Sequence, residues 1–161
     1  MTRIITVLLA AWVLFNLPSV AEGAVTNDLA LSLSVIEPVI PAGSAPSFRL
    51  TVTNVSGHVC RVLDLARRAD LRDTYCNLVA LKDGKPVEVP RAISDPGPLS
   101  DSDWLEIRPG GAKTFLLSKF PDRFEALPPG VYEAYVDFWS DPYRSHETAQ
   151  KSPRARFTVK R

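Results

Sequence analysis

The side chains most able to do chemistry in this 161-residue chain are two histidines, His58 and His146, and two cysteines, Cys60 and Cys76. Imidazole and thiolate are the usual ligands of zinc, but a zinc site needs three or four ligands that converge. The spacing of these residues along the sequence indicates no such set, and no C-x-x-C pair supports thiol redox chemistry. The sequence therefore predicts neither a metal site nor a cofactor.

The acidic residues and the nucleophilic side chains likewise show no motif of a metal site or an active site. Asp95, Asp101 and Asp103 lie close together, but nothing around them resembles the twelve-residue calcium loop. The chain has no nucleophile elbow, no phosphate-binding glycine loop and no H-E-x-x-H motif. No sequence motif indicates a catalytic triad of His146 with a serine and an aspartate. We therefore expect a protein that is not an enzyme.

The first 21 residues have the pattern of a secretory signal peptide. Arg3 supplies a positive charge, Ile4–Phe15 is an apolar run, and Ser19 and Ala21 are the small residues that signal peptidase requires. Cleavage is predicted after Ala21, with Gly23 as the alternative position. An uncleaved membrane anchor is the other interpretation, but the run is shorter than the ~20 residues of a spanning helix. The sequence thus predicts an exported protein, periplasmic or secreted.

Residues 22–161 then form one predicted domain of ordinary size. The whole chain has 19 basic and 18 acidic residues, and the signal contains Arg3 and no acid, so the mature chain is formally neutral. Nucleic-acid binding requires a clustered basic excess, which is missing. We expect another protein as the partner, no nucleic acid, and no stable membrane insertion after the signal is removed.

Export also bears on the two cysteines, because oxidising compartments permit disulfides. A bridge between Cys60 and Cys76 would close a loop of about 15 residues and contribute about 3 kcal/mol by loop-closure entropy. We predict this disulfide, with two free buried thiols as the alternative.

The mature chain is a succession of short strand patterns separated by turns. Apolar and polar residues alternate with period two, which is typical of half-buried strands. An Asp83-Gly84 pair indicates a two-residue hairpin, since type I′ turns need positive φ at both central positions. The predicted strands cover Leu29–Val35, Phe48–Thr53, Val59–Ala66, Cys76–Leu81, Val87–Val89, Trp104–Ile107, Ala112–Leu117, Tyr132–Trp139 and Ala155–Val159.

The strand that begins near Tyr132 carries the strongest indication of the fold class. Pro129 and Gly130 form a turn directly before it, and this spacing resembles the tyrosine corner of immunoglobulin-like domains. Ala134 stands where an antibody domain has its second cysteine. With no βαβ alternation, the pattern predicts an all-β chain, an immunoglobulin/fibronectin-like antiparallel β-sandwich of about seven to nine strands.

Two long polar segments, Pro90–Asp103 and Ser140–Pro153, interrupt the strand patterns, and such loops are commonly functional or mobile. In an immunoglobulin-like arrangement the second loop lies at the same end as the connection from Asn54 to His58. The candidate binding loop consists of Trp139, Tyr143, Arg144 and His146. A surface loop with no partner is the alternative.

The connection at Asn54 admits two interpretations of its own. Asn54 and Gly57 suit the left-handed conformation of a tight turn. Asn54-Val55-Ser56 also matches the acceptor motif for N-glycosylation. We interpret the motif as a turn first.

Several of these motifs together resemble one family. The segments Leu31-Ser32-Leu33, Phe48 to Ser56, Arg108-Pro109-Gly110-Gly111 and Leu127 to Tyr132 are similar to those of BsuPI-type immunoglobulin-like domains. The resemblance implies a β-sandwich, and that family is named for an intracellular proteinase inhibitor. The predicted signal peptide implies that this chain is exported, whereas that inhibitor is intracellular, so the inhibitory activity does not carry over directly.

The resulting functional expectation is an exported, non-enzymatic protein-binding or structural module of the periplasm or cell envelope that acts through its end loops. A secreted proteinase inhibitor that presents the Pro90–Asp103 loop is the alternative.

Overall fold

The computed structural model describes residues 28–87, 97–117, 127–140 and 149–161. These ranges contain eleven strands: β1 (Leu29–Val35), β2 (Val39–Pro41), β3 (Phe48–Asn54), β4 (Cys60–Leu63), β5 (Cys76–Lys82), β6 (Lys85–Pro86), β7 (Trp104–Ile107), β8 (Ala112–Leu117), β9 (Gly130–Phe138), β10 (Gln150–Lys151) and β11 (Ala155–Lys160). They also contain two 3-10 turns and one short helix: Ala69–Leu71, Asp101–Asp103 and α1 (Arg72–Tyr75). Among these residues no helix has the length and apolar character needed to cross a lipid bilayer.

The strands form two main sheets and a small third one. The first sheet has the antiparallel order β1-β3-β8, and the second has the order β2-β11-β9-β5-β6, with β10 added beside β9. Strands β4 and β7 pair only with each other. In chain order, β1, β3 and β8 take the places of strands A, B and E of an immunoglobulin domain, while β5, β9 and β11 take those of C, F and G. The protein is therefore an immunoglobulin-like β-sandwich, as predicted.

Three aromatic rings meet in the core between the sheets. Tyr132 of β9 stacks on Phe157 of β11 with ring centroids 5.4 Å apart. Phe157 in turn meets the edge of Phe48 at 5.7 Å, and Phe48 belongs to β3 in the first sheet. All three side chains are buried, and each buried side chain of this kind contributes roughly 1.5–3 kcal/mol of hydrophobic free energy. Phe157 thus joins the two sheets.

The turn before β9 has the geometry of a tyrosine corner. The Tyr132 hydroxyl donates a 2.6 Å hydrogen bond to the carbonyl oxygen of Pro128, four residues upstream. Gly130 has a φ of 156°, a backbone conformation that residues with a side chain rarely adopt, so the turn favours glycine at this position. Along β9, Tyr132, Ala134, Val136 and Phe138 are buried, which is the period-two alternation that the sequence pattern predicts.

Strand boundaries follow the sequence pattern where the pattern is long. Asp83 and Gly84 both have positive φ, 52° and 75°, as the predicted hairpin requires. The partner strand in that hairpin is β6, however, and Val87 lies outside it. The predicted strand at Val59–Ala66 is shortened to β4.

Two strands were missed altogether, which raises the count above the predicted seven to nine. β2 has three residues and pairs in parallel with β11, and β10 has two residues. Strands this short are set by their neighbours in the sheet, because they are too short to show a period of their own.

The predicted disulfide is absent from the structure, in which Cys60 and Cys76 are both buried and are not bonded to each other. Cys60 begins β4 opposite Ile107, whereas Cys76 begins β5 opposite Phe138 in the second sheet. The chain between them runs through β4 and α1, so the two cysteines belong to different sheets. Sequence spacing alone does not reveal that separation, so the prediction was wrong.

We predict that Tyr132→Phe lowers the free energy of unfolding by about 1–1.5 kcal/mol, because it removes only the hydrogen bond to Pro128 and keeps the aromatic stack. Tyr135→Phe is the matched control, since Tyr135 lies on the outer face of β9 next to the Lys151 ammonium. Urea denaturation of both variants measures the difference. Equal losses in the two would show that the corner hydroxyl contributes nothing particular.

Candidate functional site

A fully buried asparagine, Asn54, organises the end of the sandwich at which β3 terminates. Its side-chain amide donates two hydrogen bonds of 2.7 Å, one to the carbonyl of His58 and one to that of Ile107. Its Oδ1 accepts from both the backbone N–H (2.9 Å) and the hydroxyl (2.7 Å) of Ser56. The segment from Asn54 to Cys60, called here the 54–60 turn, is therefore folded around this one side chain.

The backbone of Asn54 is paired as completely as its side chain. Its N–H donates to the carbonyl of Gly111 at 2.9 Å, and its carbonyl accepts from the N–H of Gly110 at 3.0 Å. Neither Asn54 nor Gly57 has positive φ, so the predicted left-handed turn was wrong. In the folded chain both amide hydrogens of Asn54 are committed, which argues against glycosylation at this acceptor motif.

Three side chains that could bind a metal ion converge beside this turn: Asp28, His58 and Cys60. Nε2 of His58 lies 3.1 Å from Oδ2 of Asp28, and one ligand atom from each of the three residues lies within 4.8 Å of the others. Asp28 and His58 are largely exposed, at 57% and 66% of their side chains, while Cys60 is buried. This group is called here the 28–58–60 cluster.

Sequence reasoning missed this cluster. It discounted His58 because no other histidine or cysteine stood at a ligand-like spacing, yet His58 and Cys60 are only two residues apart. On extended backbone, residues at i and i+2 face the same side, so this spacing was an available signal. Asp28 could not have been found in the same way, because β1 and β3 must pair before it reaches the turn.

Backbone contacts hold each member of the cluster in place. The N–H of Val55 donates to the carbonyl of Asp28 at 2.8 Å, which ties the start of β1 to the turn. His58 is fixed through the Asn54 amide and through its own N–H, which donates to the Ser56 hydroxyl at 3.3 Å. Cys60 is fixed by its pairing with Ile107 and lies 3.5 Å from Oγ of Ser56.

The predicted binding loop is only partly within the described residues. The side chain of Trp139 is partly buried against the core. The backbone N–H of Trp139 donates to the carbonyl of Tyr75 at 3.0 Å. Tyr143, Arg144 and His146 lie outside the described residues, so their role stays a prediction. After the loop, the Gln150 amide donates to the carbonyl of Leu29 at 2.7 Å. The stem of the loop therefore lies at the same end as the 28–58–60 cluster.

The acidic residues considered for calcium have structural roles, apart from Asp95, which lies outside the described residues. Asp103 is buried and accepts 2.8 Å hydrogen bonds from the backbone and the hydroxyl of Ser100, forming a capping box for the 3-10 turn. These bonds hold the pKa of Asp103 below its usual value. Asp101 pairs with Arg61 at 3.1 Å.

A second ion pair reinforces this region. Arg68 makes two hydrogen bonds to Asp70, of 3.1 and 3.0 Å, and its guanidinium also lies 3.6 Å from Asp103. The hydrogen bond from Arg68 lowers the pKa of Asp70, and the same bond raises the pKa of Arg68. These carboxylates already have protein partners and do not point at a common cation site.

Comparisons with known proteins give likeness in fold only. No protein-family model matches the chain, and no curated protein matches it. Among solved structures it resembles the alkylpurine DNA glycosylase AlkC of Pseudomonas fluorescens, with 10% identity and a TM-score of 0.46 over 85% of this chain and 32% of that one. A Listeria innocua β-glucosidase in complex with laminaribiose has 14% identity and a TM-score of 0.42 over 83% of this chain and 16% of that one.

A CARDB domain from Pyrococcus furiosus in complex with di-metal ions has 11% identity and a TM-score of 0.36 over 82% of this chain and 85% of that one. The chain spans about a third of the glycosylase and about a sixth of the glucosidase. These three structures are not of the BsuPI type, so that resemblance stays a prediction.

We predict that Asn54→Ala lowers the free energy of unfolding by about 3 kcal/mol, because it leaves the carbonyl of Ile107 without its Asn54 donor and the carbonyl of His58 with only the longer 3.1 Å hydrogen bond from the Ser56 hydroxyl. Asn77→Ala is the control: Asn77 is also buried, but its side-chain hydrogen bond to Asp137 is a long 3.5 Å. Denaturant unfolding compares the two. A loss no larger for Asn54 than for Asn77 would contradict the organising role of Asn54.

Acid stability tests the role of Asp103. Because its folded pKa is depressed, its contribution is present above the unfolded value near 3.8 and is lost as pH falls through the lower, folded value. Asp103→Asn should therefore be less stable than wild type at pH 7, and the difference in the free energy of unfolding should disappear as the pH falls below the folded pKa of Asp103. The matched control is Asp101→Asn, which changes an exposed aspartate in the same 3-10 turn and should alter the free energy of unfolding at pH 7 by less than about 0.5 kcal/mol. Parallel curves for Asp103→Asn and wild type would contradict the prediction.

Proposed function

We propose that this protein is an exported, non-enzymatic binding module that contacts another protein through the 54–60 turn. The observation that carries the proposal is a pair of exposed valines, Val55 and Val59, with 59% and 48% of their surface accessible. They flank His58 on a turn that Asn54 holds rigid. A rigid turn loses little conformational entropy on binding, and small apolar groups beside polar ones are typical of a contact region.

The non-enzymatic part of the proposal is supported by the arrangement of the nucleophile. In a cysteine hydrolase the thiol must be hydrogen-bonded to the base that activates it. Here the sulfur of Cys60 lies against Oγ of Ser56, and among the described residues no hydrogen bond joins it to His58. His58 is paired instead with Asp28. A binding role fits this geometry better than acyl transfer.

Export is supported by the sequence pattern of residues 1–21, and the domain is compatible with it. Both candidate cleavage positions, after Ala21 and after Gly23, precede Asp28. Removal of the signal therefore leaves intact the bond between Val55 and Asp28 and every other contact of the described sandwich.

A secreted proteinase inhibitor is the second candidate. The observation in its favour is the capping box at Ser100 and Asp103, which fixes one end of the Pro90–Asp103 loop. Stoichiometric inhibition of a secreted serine or metalloproteinase would distinguish this function from the binding module.

Site-specific photo-crosslinking tests the proposed contact surface. The full chain is expressed in its source organism with a photoreactive residue at Val55 or Val59, and mass spectrometry of the purified protein first checks for a mature N-terminus at Glu22. Val39 and Val131 are matched control positions, since they are exposed to 46% and 45% but lie at the second sheet. We expect one protein to crosslink from positions 55 and 59 and not from the controls.

A variant set completes the test. Val55→Ser combined with Val59→Ser should abolish recovery of that partner, whereas Val39→Ser combined with Val131→Ser should keep it. Crosslinking that is absent at positions 55 and 59, or equal at all four positions, would refute the proposed surface.

A further inference from the structure

We propose that the 28–58–60 cluster binds a transition-metal ion of the Zn²⁺ type through the Asp28 carboxylate, the His58 imidazole and the Cys60 thiolate. This inference does not depend on the proposed protein contact, since the metal needs only these three side chains.

Ligand geometry supports the assignment. In zinc sites the metal lies about 2.3 Å from sulfur and about 2.0–2.2 Å from nitrogen and oxygen, so tetrahedral ligand atoms are roughly 3.3–3.6 Å apart. The contact between Asp28 and His58, at 3.1 Å, is already close to that spacing. Because the three ligand atoms lie within 4.8 Å of one another, Cys60 needs a movement of only about 1 Å to complete the set.

The donor types select the kind of metal. Calcium and magnesium prefer sites made only of oxygen ligands, whereas thiolate and imidazole favour zinc and its neighbours in the transition series. A thiolate together with a carboxylate also neutralises a divalent charge. On binding, the Cys60 thiol gives its proton to solvent and the Asp28–His58 contact is exchanged for bonds to the metal.

The surroundings of the cluster suit an open site. Three protein ligands leave the fourth tetrahedral position to water or an external ligand, as in zinc sites that exchange ligands. The sulfur of Cys60 is buried and forms the base, and the exposed side chains of Asp28 and His58 form the mouth. The hydroxyl oxygen of Ser56 lies 3.5 Å from the sulfur and packs beside it, while the hydroxyl proton is donated to Oδ1 of Asn54.

The backbone of each ligand residue is already fixed in the fold, so metal binding requires no further ordering of the chain. Asn54 already fixes the backbone of His58, the Val55 N–H already fixes that of Asp28, and β-pairing fixes Cys60. A metal ion would therefore meet ligands whose backbones are pre-positioned. Only side-chain rotations separate the described geometry from a coordinated one.

Cobalt substitution tests the proposal directly. The mature chain, residues 22–161, is reduced, freed of metal and titrated with Co²⁺. We expect 1:1 binding, a thiolate-to-cobalt charge-transfer band in the near ultraviolet, and loss of that band when Zn²⁺ is added. Zn²⁺ should also raise the melting temperature of the metal-free protein.

The variants separate this site from adventitious binding. Cys60→Ser should abolish the charge-transfer band, and Asp28→Asn and His58→Gln should each weaken Zn²⁺ affinity by at least about tenfold. Cys76→Ala and His146→Gln, which change the other cysteine and the other histidine, should bind as wild type does. Circular dichroism verifies the fold of each variant.

Two results would overturn the proposal. One is the absence of the band at saturating Co²⁺. The other is a band, or a Zn²⁺ affinity, that is unchanged by both Asp28→Asn and His58→Gln, since both side chains are exposed and their replacement leaves the fold intact. Failure of crosslinking at Val55 and Val59 would not affect either readout.

Discussion

The hydrogen bonds of one buried amide are the constraint on which this end of the sandwich depends. A buried carbonyl without a donor costs roughly 1–3 kcal/mol, so the carbonyls of His58 and Ile107 must be paired if the 54–60 turn is to pack against β7. Asn54 supplies both donors from one side chain while its backbone closes the connection between β7 and β8. Serine or aspartate at this position lacks the two N–H groups. The arrangement of the exposed side chains at this end therefore depends on a residue that is itself fully buried.

The opposite end is held by packing. Tyr132, Phe157 and Phe48 are linked by ring contacts across both sheets, and the corner hydroxyl of Tyr132 fixes the entry to β9. Aromatic contacts tolerate small shifts of the strands, whereas the amide network of Asn54 does not, because hydrogen bonds weaken steeply with distance and angle. The network around Asn54 therefore sets the stricter requirement on strand geometry.

Much of this architecture could be predicted from the sequence, because strands such as β1, β3 and β9 bury alternate residues and show it as period-two patterning. The tyrosine corner was visible because Pro129, Gly130 and Tyr132 lie within four residues of one another in the sequence. β2 and β10 were not, since their positions come from pairing and not from their own residues. The cluster of Asp28 with His58 was also hidden, because it arises from a contact between segments about thirty residues apart.

Asn54 shows most clearly why the site was harder to predict than the fold. A polar residue before a serine and a glycine indicates an exposed turn, and burial of such a residue is favourable only when every polar atom finds a partner. That condition involves Ser56, His58, Ile107 and the Gly110-Gly111 backbone at once. It is a property of the folded chain that no local window contains. The division between exposed Asp28 and His58 and buried Cys60 has the same origin: the first two can change without disturbing the core, whereas the Cys60 side chain is part of the core packing.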